Sequence, residues 1–354
     1  MHDKKLSANI GWRQAPRLVG ARRRLLQGLA CAVAAPGLAA VAPPRTRLRL
    51  GNTPFLGSAA VYAAIEYGWF QAEGVDIELV ESAQGWQSLK GVQEGTLDLG
   101  LTAALPIAYS IVNPRHYSAK AQEAAVIVAD MITSQVAASG AIGRRDLGVR
   151  GPADLRGKRV AVPVGTTLDL YLDLLRSAYG LSEADMTVID LPEDRHLDAL
   201  MKGEVAAIFS FRHTIVRAQQ VLGDRAVPLA SAINFSTNWV LVARKSLLDS
   251  APADLRSVLR ALDRGSAFVS EQPALGREIL SRRSGIPRET VDRIWGEMLY
   301  RIHLPEALAR NLETQMRWIL RRNGRGGHLV PDLLPHLAAA PMQALWPDRV
   351  DILR

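Results

Sequence analysis

From Thr46 onward the sequence is a succession of short strand-like runs, most of them followed by a helical stretch, several of which end at a glycine, and this leaves few architectures open. Thr46–Gly51 alternates as a strand, and a helix from about Gly57 to Tyr67 is closed by Gly68. Val75, Ile77 and Leu79 alternate with Asp76, Glu78 and Val80, which predicts a second strand. A short helix over Trp86 to Glu94 stops at Gly95; Leu97–Leu101 is a third strand and Leu105–Val112 a third helix. Ala124–Met131 reads as a buried strand. Such alternation predicts an α/β fold, a parallel sheet with helices on its faces.

A second unit repeats the scheme. Pro152–Leu155 is a turn or short helix, Arg159–Pro163 a strand, and Thr167–Tyr179 a helix ended by Gly180. Met186–Asp190, Val205–Phe209 and Trp239–Arg244 are strands; Asp194–Lys202 and Arg212–Leu222 are helices. Val92–Gly100 echoes Leu200–Ile208: in each, a helix end, a capping glycine (Gly95 or Gly203) and a buried strand follow one another. Two variants of one design imply two lobes with a cleft between them, where small ligands bind. From Ser246 the chain turns helical, with amphipathic stretches over 253–270, 273–283, 287–298 and 305–322. The last thirty residues, with seven Gly and Pro from Gly324 to Pro347, read as turns wrapping back over the body.

At 354 residues, with 48% hydrophobic and 22% charged side chains, the chain has the composition of a globular protein long enough for two cores. The net charge of +8 would suggest nucleic acid or an anionic membrane, but it is unevenly placed. Residues 1–42 hold seven Lys and Arg against Asp3 alone, which leaves 36 basic and 34 acidic residues beyond them. That balance gives no reason to expect nucleic acid as a partner.

The same first segment reads as an address. Arg22-Arg23-Arg24-Leu25-Leu26 fits the twin-arginine pattern, and an Ala- and Leu-rich stretch from Leu25 to Ala42 follows. Small residues near its end offer cleavage sites after Ala39 or Ala40. An uncleaved anchor and lipidation at Cys31 are the alternatives; the stretch is short and diluted for a span, and Gly28-Leu29-Ala30 is a poor lipobox. Cys31 is the only cysteine, so a chain cleaved here carries no thiol for a disulfide, a metal or nucleophilic catalysis.

No H-E-x-x-H, G-x-x-x-x-G-K-[ST], G-x-S-x-G or G-x-G-x-x-G pattern occurs. The seven histidines never fall at i,i+3 or i,i+4 spacing, so no helical metal pair forms. Asp185 with Asp190, and Glu193 with Asp194, are expected in solvated loops rather than in a dry acid–base pair. The chain is therefore read as a binding protein, not an enzyme, with no cofactor.

Three segments carry a resemblance. Ala63–Val80 (AAIEYGWFQAEGVDIELV) resembles the opening of nitrate/sulfonate/taurine-type substrate-binding proteins of ABC transporters, which are related to thiamine-precursor receptors. Gly95–Gly100 is similar to their next segment, Ala153–Pro163 to the start of their second lobe, and Gly165-Thr166-Thr167 stands where they have a Gly-Ser or Gly-Thr turn. The resemblance covers about residues 46–322. It implies a two-lobed periplasmic-binding-protein fold of the second type with two hinge crossings. Lobe 1 would comprise 43–134 and 244–354, and lobe 2 135–243, after a signal peptide over 1–42. It implies a monomeric periplasmic receptor that hands a small organic anion (sulfonate-, taurine- or nitrate-like) to an inner-membrane permease. Ala206 and the Phe209-Ser210-Phe211-Arg212-His213 segment depart from the family pattern, which opens the ligand to variation. Relatives on this fold also include a thiamine-pyrimidine synthase and a sulfinate desulfinase, so an enzyme is the alternative. A sensor's binding component is a further one.

The candidate ligand residues follow the carboxyl ends of strands. At Gly165, Thr166 and Thr167 a helix begins, Thr166 and Asp169 have capping-box spacing, and unpaired N–H groups would attract an anion; an ordinary cap is the alternative. Asn52 and Thr53 follow the first strand, Gln84, Gly85 and Trp86 the second, and Thr102 and Ala103 the third. Plain turn chemistry, or a packed aromatic for Trp86, is the alternative there. Arg212 and His213 open a helix, where Arg212 would clamp an anion or else stand in solvent. Asn234, Ser236 and Asn238 lie near the return hinge, in what reads as a polar loop.

Overall fold

The structure, a computed structural model, describes residues 45–122, 124–134, 139–229 and 237–352. The expected leader with Arg22–Arg24 and Cys31, and the hinge residues Asn234 and Ser236, lie outside the described residues.

The β-branched and aliphatic runs form strands β1 (Thr46–Asn52), β2 (Val75–Glu81), β3 (Leu99–Ala103), β4 (Ala125–Ser134), β5 (Ser139–Arg144), β6 (Lys158–Val162), β7 (Met186–Asp190), β8 (Ala207–Phe211), β9 (Ala226–Pro228), β10 (Asn238–Arg244) and β11 (Met298–His303). They build two sheets, β2-β1-β3-β10-β4-β11 and β7-β6-β8-β5-β9. In the first, β1 pairs parallel with β2 (Thr46 opposite Val75 through Asn52 opposite Glu81) and with β3. In the second, β6 pairs parallel with β7 and β8 in the same arrangement. Both sheets belong to one compact unit spanning Pro44–Arg354.

The expectation of parallel sheets needs correction. Each sheet is mixed: β10 enters the first antiparallel to β3 and β4, and β5 enters the second antiparallel to β8 and β9. A strand that arrives from the other half of the chain is not tied by a right-handed crossover to its neighbour, so alternation in sequence does not set its direction.

The echo between the two units is structural. Gly95 and Gly203 both adopt left-handed backbone, with φ of 71° and 76°, after a helix end. Beyond them Asp98 N–H donates to Arg49 O at 3.0 Å and Ala206 N–H to Arg159 O at 2.8 Å, which starts β3 and β8 in matching positions. A residue with a Cβ would be strained at either cap.

The C-terminal helices run over Pro252–Glu271, Pro273–Ser284, Arg288–Ile294 and Glu306–Arg322. The third stops short of the expected 298, because Met298, Tyr300 and Ile302 are buried on alternate positions and join β4 as the edge strand β11. β5 and β9 were not anticipated: β5 carries Gly140 and Gly143, which weaken a strand pattern, and β9 has three residues. The Gly- and Pro-rich tail does fold back: Ala338 N–H donates to Ile127 O at 2.8 Å and Leu304 N–H to Arg349 O at 2.9 Å. No helix among the described residues is long and apolar enough to cross a membrane.

Candidate functional site

Because β1, β2 and β3 point the same way, the turns that follow them share one edge of the first sheet, and β6, β7 and β8 do the same for the second. These edges face one another across a pocket with about 640 Å³ of unfilled space, its opening to solvent included. The first sheet contributes Thr53, Phe55, Gln84, Gly85, Trp86, Ala103 and Trp239, with Pro54, Ala83 and Pro106 between them. The second contributes Pro163, Thr166, Thr167, Glu193, Phe211 and His213.

Eight of the twelve residues singled out by sequence line this pocket: Thr53, Gln84, Gly85, Trp86, Ala103, Thr166, Thr167 and His213. Gln84 opens its helix by donating its N–H to Gln87 Oε1 at 3.0 Å, and its own Oε1 accepts Trp86 Nε1–H at 2.5 Å. Trp86 stacks on Tyr117, centroids 5.5 Å apart and 15° from parallel. At Gly85 a Cβ would lie 2.9 Å from the Trp239 ring, so only glycine lets the turn pack on that indole. Thr166 caps the helix Thr167–Ala178 by accepting Leu168 N–H at 3.3 Å.

Four stand elsewhere. Asn52 is fully buried behind the pocket, where Nδ2 donates to the Tyr62 hydroxyl at 3.3 Å and Oδ1 lies 2.8 Å from Ser58 Oγ. Thr102 is buried under Gly85. Gly165 supports the pocket turn from behind: its N–H donates to Asp169 Oδ2 at 2.9 Å. The expected capping box is thus shifted by one residue, since Asp169 reaches Gly165 rather than the Thr166 N–H. Arg212 turns away, with Nε 3.1 Å from both carboxylate oxygens of Glu297. An acid supplied by the C-terminal region pairs with that guanidinium, and Arg212 is not among the residues that line the pocket. Asn238, at the start of β10, spends its side chain on Asp130 and Asn311.

Glu193 corrects the sequence reading more sharply. Its neighbour Asp194 is exposed, but Glu193 is half-buried in the pocket wall. Its Oε1 lies 2.9 Å from Ser210 Oγ, accepts a short hydrogen bond from Thr214 Oγ1, and sits 3.5 Å from His213 Nε2. Burial works to raise its pKa, but these donors and the neighbouring imidazole outweigh it and bring the carboxyl down to about 2. Glu193 follows the carboxyl end of β7, so the rule that selected the other turns would have found it. Phe211, at the end of β8, was equally accessible to that rule. Trp239 was not: it begins β10 and reaches this edge only because β10 runs antiparallel, opposite Ala103.

The walls are aromatic. Phe55 lies 5.5 Å from Phe211 and 5.3 Å from Trp239, and Phe211 stacks with His213 at 6.3 Å. Three lining residues hold a buried polar atom with no partner: Thr53 Oγ1, His213 Nδ1 and Trp239 Nε1. A buried donor left unpaired costs about 1–3 kcal/mol, which a bound molecule can recover. Among the described residues no Lys or Arg lines the pocket. Among the described residues no group of three or more His, Cys, Asp or Glu is arranged to hold a metal ion.

The comparisons agree with this architecture. The family described as NMT1/THI5 like matches residues 56–275. No curated protein matches the chain by sequence. The periplasmic aliphatic sulphonate binding protein SsuA from Escherichia coli superposes with a TM-score of 0.69 at 19% identity, over 82% of this chain and 92% of that one. The periplasmic nitrate-binding protein NrtA from Synechocystis PCC 6803 gives 0.67 at 17% identity, over 88% and 92%. A Candida albicans gene product described as exhibiting the generic periplasmic binding protein structural fold gives 0.63 at 14%, over 86% and 96%. Two sheets that repeat one strand order, a pocket between their matching edges and a family match over more than half its length make this chain a member of the NMT1/THI5-like family with a periplasmic-binding-protein fold.

Proposed function

We propose that the protein is an extracytoplasmic solute receptor of an ABC importer rather than an enzyme. It binds a small organic anion between its halves and delivers it to a membrane permease. The observation that carries this reading is the pocket whose two walls come from different sheets and whose lining atoms Thr53 Oγ1, Trp239 Nε1 and His213 Nδ1 lack partners. The indole N–H only donates, and the threonine hydroxyl can donate, so both suit an acceptor-rich head group. The helix start at Thr166-Thr167 adds its dipole in the same sense. His213 adds its unpartnered Nδ1 to the wall, with Glu193 3.5 Å away on the Nε2 side of the ring.

The ligand contacts on this reading are Thr53, Gln84, Gly85, Trp86, Ala103, Thr166, Thr167 and His213, joined by Phe55, Phe211 and Trp239. Asn52, Thr102 and Gly165 act from behind. The Glu193 carboxylate favours, within the anion class, solutes that also carry a hydrogen-bond donor, as an aminosulfonate does. The lobes are 43–134 with 244–354, and 135–243; closure about the two crossings is the state a permease reads. Export through the leader at 1–42 completes the proposal. Sulfonate and nitrate binding by the similar structures named above supports the anion class.

The test is a thermal-shift and calorimetric panel of alkanesulfonates, arylsulfonates, aminosulfonates and nitrate, with mass spectrometry of any molecule that co-purifies. Saturable one-to-one binding lost on Trp86→Ala supports the receptor. Turnover of a bound compound, abolished by His213→Ala, would replace it with the enzyme reading.

A further inference from the structure

The C-terminal helix Glu306–Arg322 packs on helix Ala104–Val112 of the first-sheet half, outside the pocket. Its last turn nevertheless bonds to the second-sheet half. Trp318 Nε1–H donates to Asp173 Oδ2 at 2.6 Å, and Arg322 Nη1–H donates to Asp169 Oδ1 at 3.1 Å. Trp318 and Arg322 are four residues apart on one helix, as Asp169 and Asp173 are on the other, so each pair shares a helix face. The rungs connect first with last, as two antiparallel helices require. The Arg322 guanidinium also lies 5.2 Å from the centre of the Trp318 ring, which joins the rungs into one unit.

Asp169 makes this more than a surface contact. It is 1% exposed, and its second oxygen is the acceptor for Gly165 N–H at 2.9 Å. Gly165 belongs to the turn Pro163–Thr167 that lines the pocket. From the first-sheet half the Tyr117 hydroxyl donates to the Gly165 carbonyl at 3.4 Å, and Tyr117 stacks on Trp86 in the opposite wall. One buried carboxylate therefore links a backbone amide of the pocket turn to a cation on the other half of the protein.

We propose that Arg322 and Trp318 are positioning residues of the binding site: they fix Asp169, and through it the Pro163–Thr167 turn, so the C-terminal helix of one half sets the pocket backbone of the other. The inference rests on the reading of this pocket as the solute site, but its test needs no solute. In the ligand-free full chain, amide hydrogen exchange of the segment 163–168 is compared between wild type, Arg322→Met, Arg322→Lys and Trp318→Phe. Arg322→Met is expected to speed exchange in that segment about tenfold or more, with β6 and β8 protected as before. Arg322→Lys should restore most of the protection. Trp318→Phe keeps an aromatic side chain but removes the donor; it should give the same pattern at smaller amplitude, and it serves if Arg322→Met does not fold. Unchanged exchange at 163–168, or an equal rise across β6, β7 and β8, would overturn the proposal. Absence of any bound solute would end the receptor reading and leave this result standing.

Discussion

Arg144 and Arg244 occupy matching places in the two sheets and spend their charge differently. Each ends the strand that enters its sheet antiparallel, and each donates its N–H across to the residue after a Gly-capped helix: Arg244 to Asp98 O at 3.0 Å, Arg144 to Ala206 O at 2.9 Å. In the first sheet the facing residue is an acid, and Arg244 takes Asp98 Oδ1 with Nε at 2.9 Å and Nη2 at 2.5 Å. In the second it is alanine. Arg144 instead caps the helix His196–Lys202, donating to Leu200 O at 2.9 Å and Met201 O at 2.8 Å, and takes Asp146 with its other nitrogens. The departure at Ala206 is thus a rewired structural ion pair, not a change in the pocket.

That difference predicts unequal costs. Arg144 is buried and donates to two helix-end carbonyls, one of which, Leu200 O, also accepts Gly203 N–H at 3.2 Å. Arg144→Ala should destabilise the protein by about 2–3 kcal/mol, mainly from the lost charge-assisted bonds to Asp146 and Met201 O. Arg244→Ala, at a more exposed ion pair, should cost about 1 kcal/mol. Urea unfolding midpoints of the two variants test the order, and an equal loss would remove the argument.

Glu193 predicts an acid limb in the stability curve. Its folded pKa of about 2 lies below the unfolded value of 4.5, so the folded state binds the proton more weakly than the unfolded chain does. The resulting stabilisation is complete above the unfolded value and drains away as pH falls from about 4.5 to about 2. Melting temperature measured across that window should fall less steeply in Glu193→Gln than in wild type. Parallel curves would show that the carboxylate contributes nothing there.

Trp239→Phe removes the indole N–H together with part of the ring on which Gly85 and Phe55 pack. The N–H has no partner in the protein, so its loss alone costs the ligand-free fold nothing, but the void left by the smaller ring should destabilise the variant by about 1–2 kcal/mol. Affinity for the anion should drop about tenfold, the loss of about one hydrogen bond. Calorimetry paired with melting curves reads both quantities; affinity that survives intact would take the indole out of the contact set.

Arg212→Met should leave affinity near the wild-type value. Its guanidinium is engaged with Glu297 and does not line the pocket. The pair is partly exposed, so its loss should cost no more than about 1 kcal/mol of stability. An affinity loss of a hundredfold would mean that the side chain swings into the cleft when solute arrives.

Local pattern was enough to read the strands that follow their own helices, the glycine caps and the turns at the strand ends. Period-two alternation and a left-handed cap depend on a few neighbouring residues, so Thr46–Gly51, Gly95, Gly203 and helix starts near Trp86 and at Thr167 could be seen in advance, within a residue of the observed bounds. Glu193 and Phe211 were legible by the same rule and were passed over: an acid beside Asp194 resembles solvent-facing charge until its burial is known. β5 and nearly all of β11 fell in stretches given no element: Gly140 and Gly143 dilute the first, and the second lies between helical stretches expected to end at 298 and begin at 305.

By itself, then, the sequence determined two related α/β units, the edge on which each places its turns, and a helical C-terminal region. Only the tertiary structure decided that β10 runs antiparallel and brings Trp239 to that edge, that Arg212 answers Glu297, and that Arg322 reaches Asp169. The physical reason is that a hydrogen bond or ion pair between residues some 80 to 150 positions apart is fixed by which elements pack together. A charged side chain has the same local signature whether it faces water, a ligand or a distant partner.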